Sequence, residues 1–67
     1  MLEQIDFLTY PDIELKLTDG TTYHAHLNEH NRRKLDLIDT FPTAHIDFPY
    51  CVLRSEGHVI VAYLEKI

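Results

Sequence analysis

Two groupings in the sequence hold residue types able to do chemistry. Arg32-Arg33-Lys34 follows His30-Asn31, and Arg54 opens the last tight turn, so four of the six cationic residues fall in two short segments. Arginine planes and a histidine can stack on unpaired bases while their charge meets phosphate, as a sequence-tolerant groove for single-stranded RNA requires. The plain alternative is a solvated turn whose basic residues serve solubility. The second grouping is His24 and His26, which share one face of a strand and lie near Glu14 in the hairpin argued below. Two histidines and a carboxylate can hold a divalent ion, zinc above all. An exposed polar face accounts for the same pattern, and no metal or other cofactor is expected. Cys51, the single cysteine, is expected to face a strand interior as an unreactive thiol. No nucleophile elbow, phosphate loop or paired-carboxylate spacing occurs, so no catalytic residues and no enzyme are expected.

These residues need a scaffold, and the hydrophobic pattern describes most of it. Leu2, Ile5 and Leu8 recur every three residues before Tyr10-Pro11, which predicts a short amphipathic helix, with a strand through Ile5 and Phe7 as the rival. Ile13 to Leu17 and Tyr23 to Leu27 alternate strictly around Asp19-Gly20. A two-residue turn would pair Leu15 with His24 and mix polar with apolar side chains on one face. A three-residue loop Thr18-Asp19-Gly20, with Gly20 left-handed, pairs Leu15 with Tyr23 and Ile13 with Ala25, so one face is wholly apolar. That register also sets His24 across from Glu14. Lys34 to Ile38 is read as a strand, with a helix from Asn31 to Asp39 as the alternative. Pro42 and Pro49 make residues 40–49 a loop or an irregular lead into a strand. Tyr50 to Arg54 and His58 to Leu64 flank Ser55-Glu56-Gly57 as a second tight hairpin. The unbroken apolar run from Val59 to Leu64 implies cover on both faces or along its edge.

Composition bounds what such a scaffold can do. The chain has 67 residues and 7.9 kDa, for which size scaling gives about 4,400 Å² of folded surface against about 11,500 Å² unfolded. Residues 1–67 are one domain with a thin core, so a staple or a partner is expected. One cysteine forms no internal disulfide, and no zinc-finger spacing occurs, which leaves association. Six Lys and Arg against eleven Asp and Glu leave a net charge of −5, which argues against tight binding to duplex DNA or an acidic membrane. No apolar run is long enough to span a bilayer. A lone thiol and an N-terminus without a basic stretch fit a cytoplasmic protein.

At this point the residues resemble the Sm/LSm family of ring-forming RNA-binding proteins. The first Sm motif reads here as Ile13, Leu15, Leu17, Asp19-Gly20, Tyr23, Leu27, His30-Asn31, Lys34-Leu35 and Ile38, and the second as Leu53-Arg54-Ser55-Glu56 followed by Val59-Ile60-Val61. Asn31 stands for Asp, Lys34-Leu35 for Met-Asn, Ala25 for Gly and Ser55 for Gly. The resemblance implies a mainly β fold, a small, strongly bent five-stranded SH3-type barrel with a short N-terminal helix. It further implies a homo-oligomeric ring of five to seven subunits. Tyr50–Arg54 of one subunit would pair with His58–Leu64 of the next, with Val52, Arg54, Val59 and Val61 at the seam. Single-stranded RNA would meet His30, Asn31, Arg32, Arg33, Lys34, Arg54 and Glu56. Within that set Arg33 takes the base-stacking position, Arg54 the family's arginine, and Glu56 its acidic partner. Leu35 takes the place of the base-reading Asn, so uridine preference should be mild. The alternative carried alongside is a structural scaffold or protein-interaction ring without RNA binding.

Overall fold

The computed structural model describes all 67 residues: six strands and one helix, in chain order β1 (Leu2–Phe7), β2 (Ile13–Leu17), β3 (Thr22–His26), α1 (Glu29–Leu37), β4 (Thr43–Asp47), β5 (Tyr50–Ser55) and β6 (His58–Lys66). All pairings are antiparallel, in one sheet of order β1-β2-β3-β6-β5-β4. The sheet curls into a half-barrel, so that Met1 and Leu2 beside one edge share a groove with Phe41 to Ala44 beside the other. Thirteen buried apolar residues fill the concave side, Ile13, Leu15, Ala25, Cys51, Leu53, Ile60 and Leu64 among them. The folded surface is 4246 Å², close to the size expectation, so the domain buries an ordinary share of itself without a partner.

The β2–β3 hairpin has the expected register: Leu15 pairs with Tyr23, Ile13 with Ala25 and Glu14 with His24. Gly20 sits at φ +91°, and the Asp19 carboxylate accepts the Thr21 N–H at 2.9 Å. Only the left-handed backbone lets the third loop residue turn the chain back in step. The β5–β6 hairpin closes with Glu56 at φ +52° and Gly57 at φ +79°, between the paired Ser55 and His58. Two successive positive φ values make the turn whose twist matches the strands it joins.

Three expectations are corrected. The N-terminal segment is a strand rather than a helix, and the register shift between Leu2 and Gln4 explains the misleading spacing. A bulge adds one residue to a strand, so Leu2 and Ile5 both turn inward although three residues separate them. The segment through Lys34 to Ile38 is helical rather than extended. Asn28 caps it, its Oδ1 accepting the Asn31 N–H at 2.8 Å, and Glu29–Arg33 and Arg32–Asp36 pair one turn apart. Leu35 is buried while Leu37 is exposed, which a helix allows and a strand i, i+2 pair does not. The sheet therefore has six strands, not five: β1 is added at one edge and β4 at the other. β4 fits between Pro42 and Pro49 because both prolines lie outside its ladder.

Helix α1 closes the end of the half-barrel where β1 and β3 finish. β3 stops at His26, which leaves β6 unpaired on one side above Tyr63. The helix fills that gap: Asn31 Oδ1 accepts the Val61 N–H at 3.0 Å and Lys34 Nζ donates to the Val59 carbonyl at 3.1 Å. Edge cover for β6 thus comes from within the chain. Its outer face stays open, because Ile60, Ala62 and Leu64 point to the core while Val59, Val61 and Tyr63 do not.

Candidate functional site on the outer face of the sheet

The outward residues of four adjacent strands form a grid. Asp47, Tyr50, Tyr63 and His26 make one row across β4, β5, β6 and β3; His45, Val52 and Val61 make the next; Thr43, Arg54 and Val59 the third. The aromatic row is in contact, with Tyr50 and Tyr63 edge-to-face at 5.7 Å and His26 6.4 Å from the Tyr63 ring. The face is thus apolar at its centre, cationic at Arg54 and acidic at Asp47 and Glu65. Val52, Arg54, Val59 and Val61, expected at a subunit seam, are neighbours in this grid. The edges that the seam expected from β5 pairing with β6 of another subunit would use are occupied within the chain: β5 is paired with β4 and β6, and the second flank of β6 is taken by β3 at Tyr63–Lys66 and by α1 at Val59 and Val61. The free edges belong to β1 and β4.

At the polar end of the face lies a cluster of Asp12, His24, His26 and Glu65. Asp12, one step beyond the Ile13–Ala25 pair, lies with one carboxylate oxygen 2.9 Å from His24 Nε2 and 3.0 Å from His26 Nδ1. Glu65 takes the other nitrogen of His26. The hydrogen bond with His24 holds the Asp12 carboxyl below its ordinary range, against a smaller opposing effect of burial. The Glu65 hydrogen bond raises His26, again against burial, and Asp12 adds to the rise. Strand alternation placed the two histidines together from sequence alone. The carboxylate between them is Asp12, which the spacing argument missed because Asp12 precedes the alternating run; Glu14 is the neighbour it selected instead.

The residues expected to touch RNA are dispersed among structural tasks. His30 is exposed on α1, and Arg33, exposed beside it, pairs with Glu29 at 3.6 Å. Arg32 is sandwiched, its guanidinium carbon 4.6 Å from the Phe7 ring centre and 4.9 Å from that of Tyr10, with Nε 3.2 Å from Asp36. Asn31 and Lys34 serve the β6 edge. Leu35 is core. Arg54 stands on the outer face of β5 and is not paired with Glu56. The Glu56 carboxylate accepts instead the N–H groups of Asp39 and Thr40, at 2.5 and 2.6 Å, and ties the last hairpin to the loop after α1. Cys51 is buried, and burial pushes its thiol up to about 11, so it is protonated at neutral pH.

The Glu56 tether has a pH signature. Its two backbone donors, Thr40 first, hold the carboxyl below its ordinary 4.5, so the contribution to stability is complete above that value and is lost as pH falls through the lower folded value. The stability difference between the wild type and Glu56→Gln should be constant from neutral pH to about 5.5 and should narrow on further acidification. Urea melts of both proteins at stepped pH measure it; a difference that widens in acid contradicts the tether. Comparison with protein-family models, with curated proteins and with solved structures finds no match to the chain, so the Sm resemblance rests on its motif residues alone.

Proposed function

We propose that the chain is a non-enzymatic interaction module that associates with a second copy of itself through the outer face of β5 and β6. The observation that carries this reading is the contiguous set Tyr50, Val52, Val59, Val61 and Tyr63, four of them 43–54% exposed, in a chain whose total exposed surface is ordinary for its size. Contiguous apolar surface on a small soluble domain marks a place where another surface fits. Charge complementarity favours a second copy. A two-fold axis lying across the strands through the Val52–Val61 pair stacks valines on valines. It also sets Arg54, which has no ion-pair partner within the chain, over Tyr50 and beside Asp47 of the second copy. A contact centred on two strands suits a convex face, and a closed two-fold pair is the commonest oligomer.

The alternative of a ring built by edge pairing would have to use β1 and β4. RNA binding, implied by the Sm resemblance, retains Arg33, His30 and Arg54 as exposed side chains on a chain of net charge −5.

Sedimentation equilibrium distinguishes these readings. The wild type should run as a dimer, and Val61→Lys should weaken association at least about thirtyfold, as loss of a 2 kcal/mol central contact does. Arg54→Glu should weaken it too, and Asp47→Lys should restore part of that loss. A monomer at micromolar concentration overturns the proposal, and a mass of five to seven chains supports the ring. Fluorescence anisotropy with U-rich and A-rich oligonucleotides near 50 mM salt should show no binding; binding lost in Arg33→Ala and Arg54→Ala would favour the RNA reading.

A further inference from the structure

Asp12 Oδ2, His24 Nε2 and His26 Nδ1 converge on one point, all within 4.8 Å of one another. Here two imidazoles present different ring nitrogens, Nε2 from one and Nδ1 from the other, to the same carboxylate oxygen. A tetrahedral zinc with bonds near 2.05 Å holds its ligands about 3.4 Å apart. The two Asp12 separations, 2.9 and 3.0 Å, already lie near that spacing, and the remaining approach is a side-chain adjustment.

Four further features fit an ion. Glu65 engages the Nε2 of His26, the carboxylate–histidine arrangement that fixes the tautomer and leaves Nδ1 free to ligate. Asp12 and Glu65 supply two negative charges beside two imidazoles, which a dication balances. The Asp12, His24 and His26 side chains are a quarter to two-fifths exposed, so an ion can reach them and a water can complete its shell. Paired strands hold the backbone of both histidines rigid.

We propose that Asp12, His24 and His26 form a binding site for a divalent transition ion of zinc's class, with Glu65 orienting His26 and a fourth position open to solvent. The site borders the proposed contact surface where His26 meets Tyr63, but does not rest on self-association. Imidazole with one carboxylate favours zinc and its neighbours over magnesium, which takes oxygen ligands and keeps its waters. Cys51, buried and protonated, does not compete.

Isothermal titration of ZnCl2 into the chelator-treated full chain should saturate at one equivalent, and MgCl2 should give no binding. The His24→Ala/His26→Ala double variant should lose about a hundredfold or more in affinity, and Glu65→Gln about tenfold, the range for an orienting partner. His45→Ala, on β4 of the same face, should bind as the wild type does. Should the double variant fail to fold, NMR of the wild type decides: zinc should shift the ring signals of His24 and His26 and leave His30, His45 and His58 in place. No saturable binding, binding that persists in a folded double variant, or zinc shifts at the other three histidines instead would overturn the site.

Discussion

Ile60→Ala should unfold the domain or bring it to the verge of unfolding, while Val61→Ala, one residue away, should change the stability of the dilute monomer little. Ile60 is fully buried among the concave-side residues and Val61 is 43% exposed on the outer face. Truncating a buried Ile to Ala costs about 2–5 kcal/mol, from lost transfer energy and the cavity left behind. A 67-residue domain has only about 3–10 kcal/mol of total stability. With a urea dependence of about 1 kcal/mol per molar, the Ile60→Ala midpoint should fall by 2 M or more. Urea denaturation followed by circular dichroism measures both variants. Equal losses in protein dilute enough to be monomeric would mean that both faces of β6 are covered within the chain; a larger loss at Val61 would reverse the assignment of its faces.

Arg32→Ala should lower thermal stability by roughly 10 °C or more, and Arg32→Lys should recover only part of it. The Arg32 side chain is 11% exposed and fills the space between the Phe7 and Tyr10 rings. Each cation–π contact is worth about 0.5–2 kcal/mol depending on desolvation, and truncation also removes the apolar stem that packs beneath it. A total of about 2–3 kcal/mol corresponds to at least 8–12 °C in a domain this small. Lysine carries the charge but not the flat guanidinium that lies between two rings. Arg33→Ala is the control: its side chain is 71% exposed and its pairing with Glu29 is a surface contact, worth a few tenths of a kcal/mol. Scanning calorimetry of the three variants decides. Equal melting points for Arg32→Ala and Arg33→Ala would return Arg32 to the pool of side chains free for a ligand.

The contrast between these two arginines shows how far a run of basic residues can be read. Arg32-Arg33-Lys34 looks like one cationic feature in the chain, and an extended loop would present it as one. On a helix successive residues turn by about 100°, so Arg32 faces β1, Arg33 faces solvent and Lys34 faces β6. The helix was itself announced, by Asn28 at its cap, Glu29 in its first turn and opposite charges four residues apart. The alternation of Leu35 and Leu37 points to a strand instead, because one short stripe of apolar residues is compatible with either period. The N-terminal strand was hidden for a related reason. A single bulge turns a spacing of two into a spacing of three, and three is also a helical spacing.

What the sequence by itself determined about this protein is local: two hairpins, the register of the first and the left-handed glycine that closes it, the buried cysteine, and the pairing of His24 with His26 on one face. Each follows from steric limits on a few consecutive residues or from strict alternation, which need no knowledge of distant neighbours. Tertiary structure alone decided the order of the six strands, the place of β1 and β4 at the edges, and the use of α1 to cover the exposed flank of β6. It also brought Asp12 and Glu65 to the two histidines from 12 residues before one and 39 residues after the other. Contacts at such separations depend on how far the sheet curls and where β3 ends, quantities set by the packing of the whole core and by no single segment of the chain.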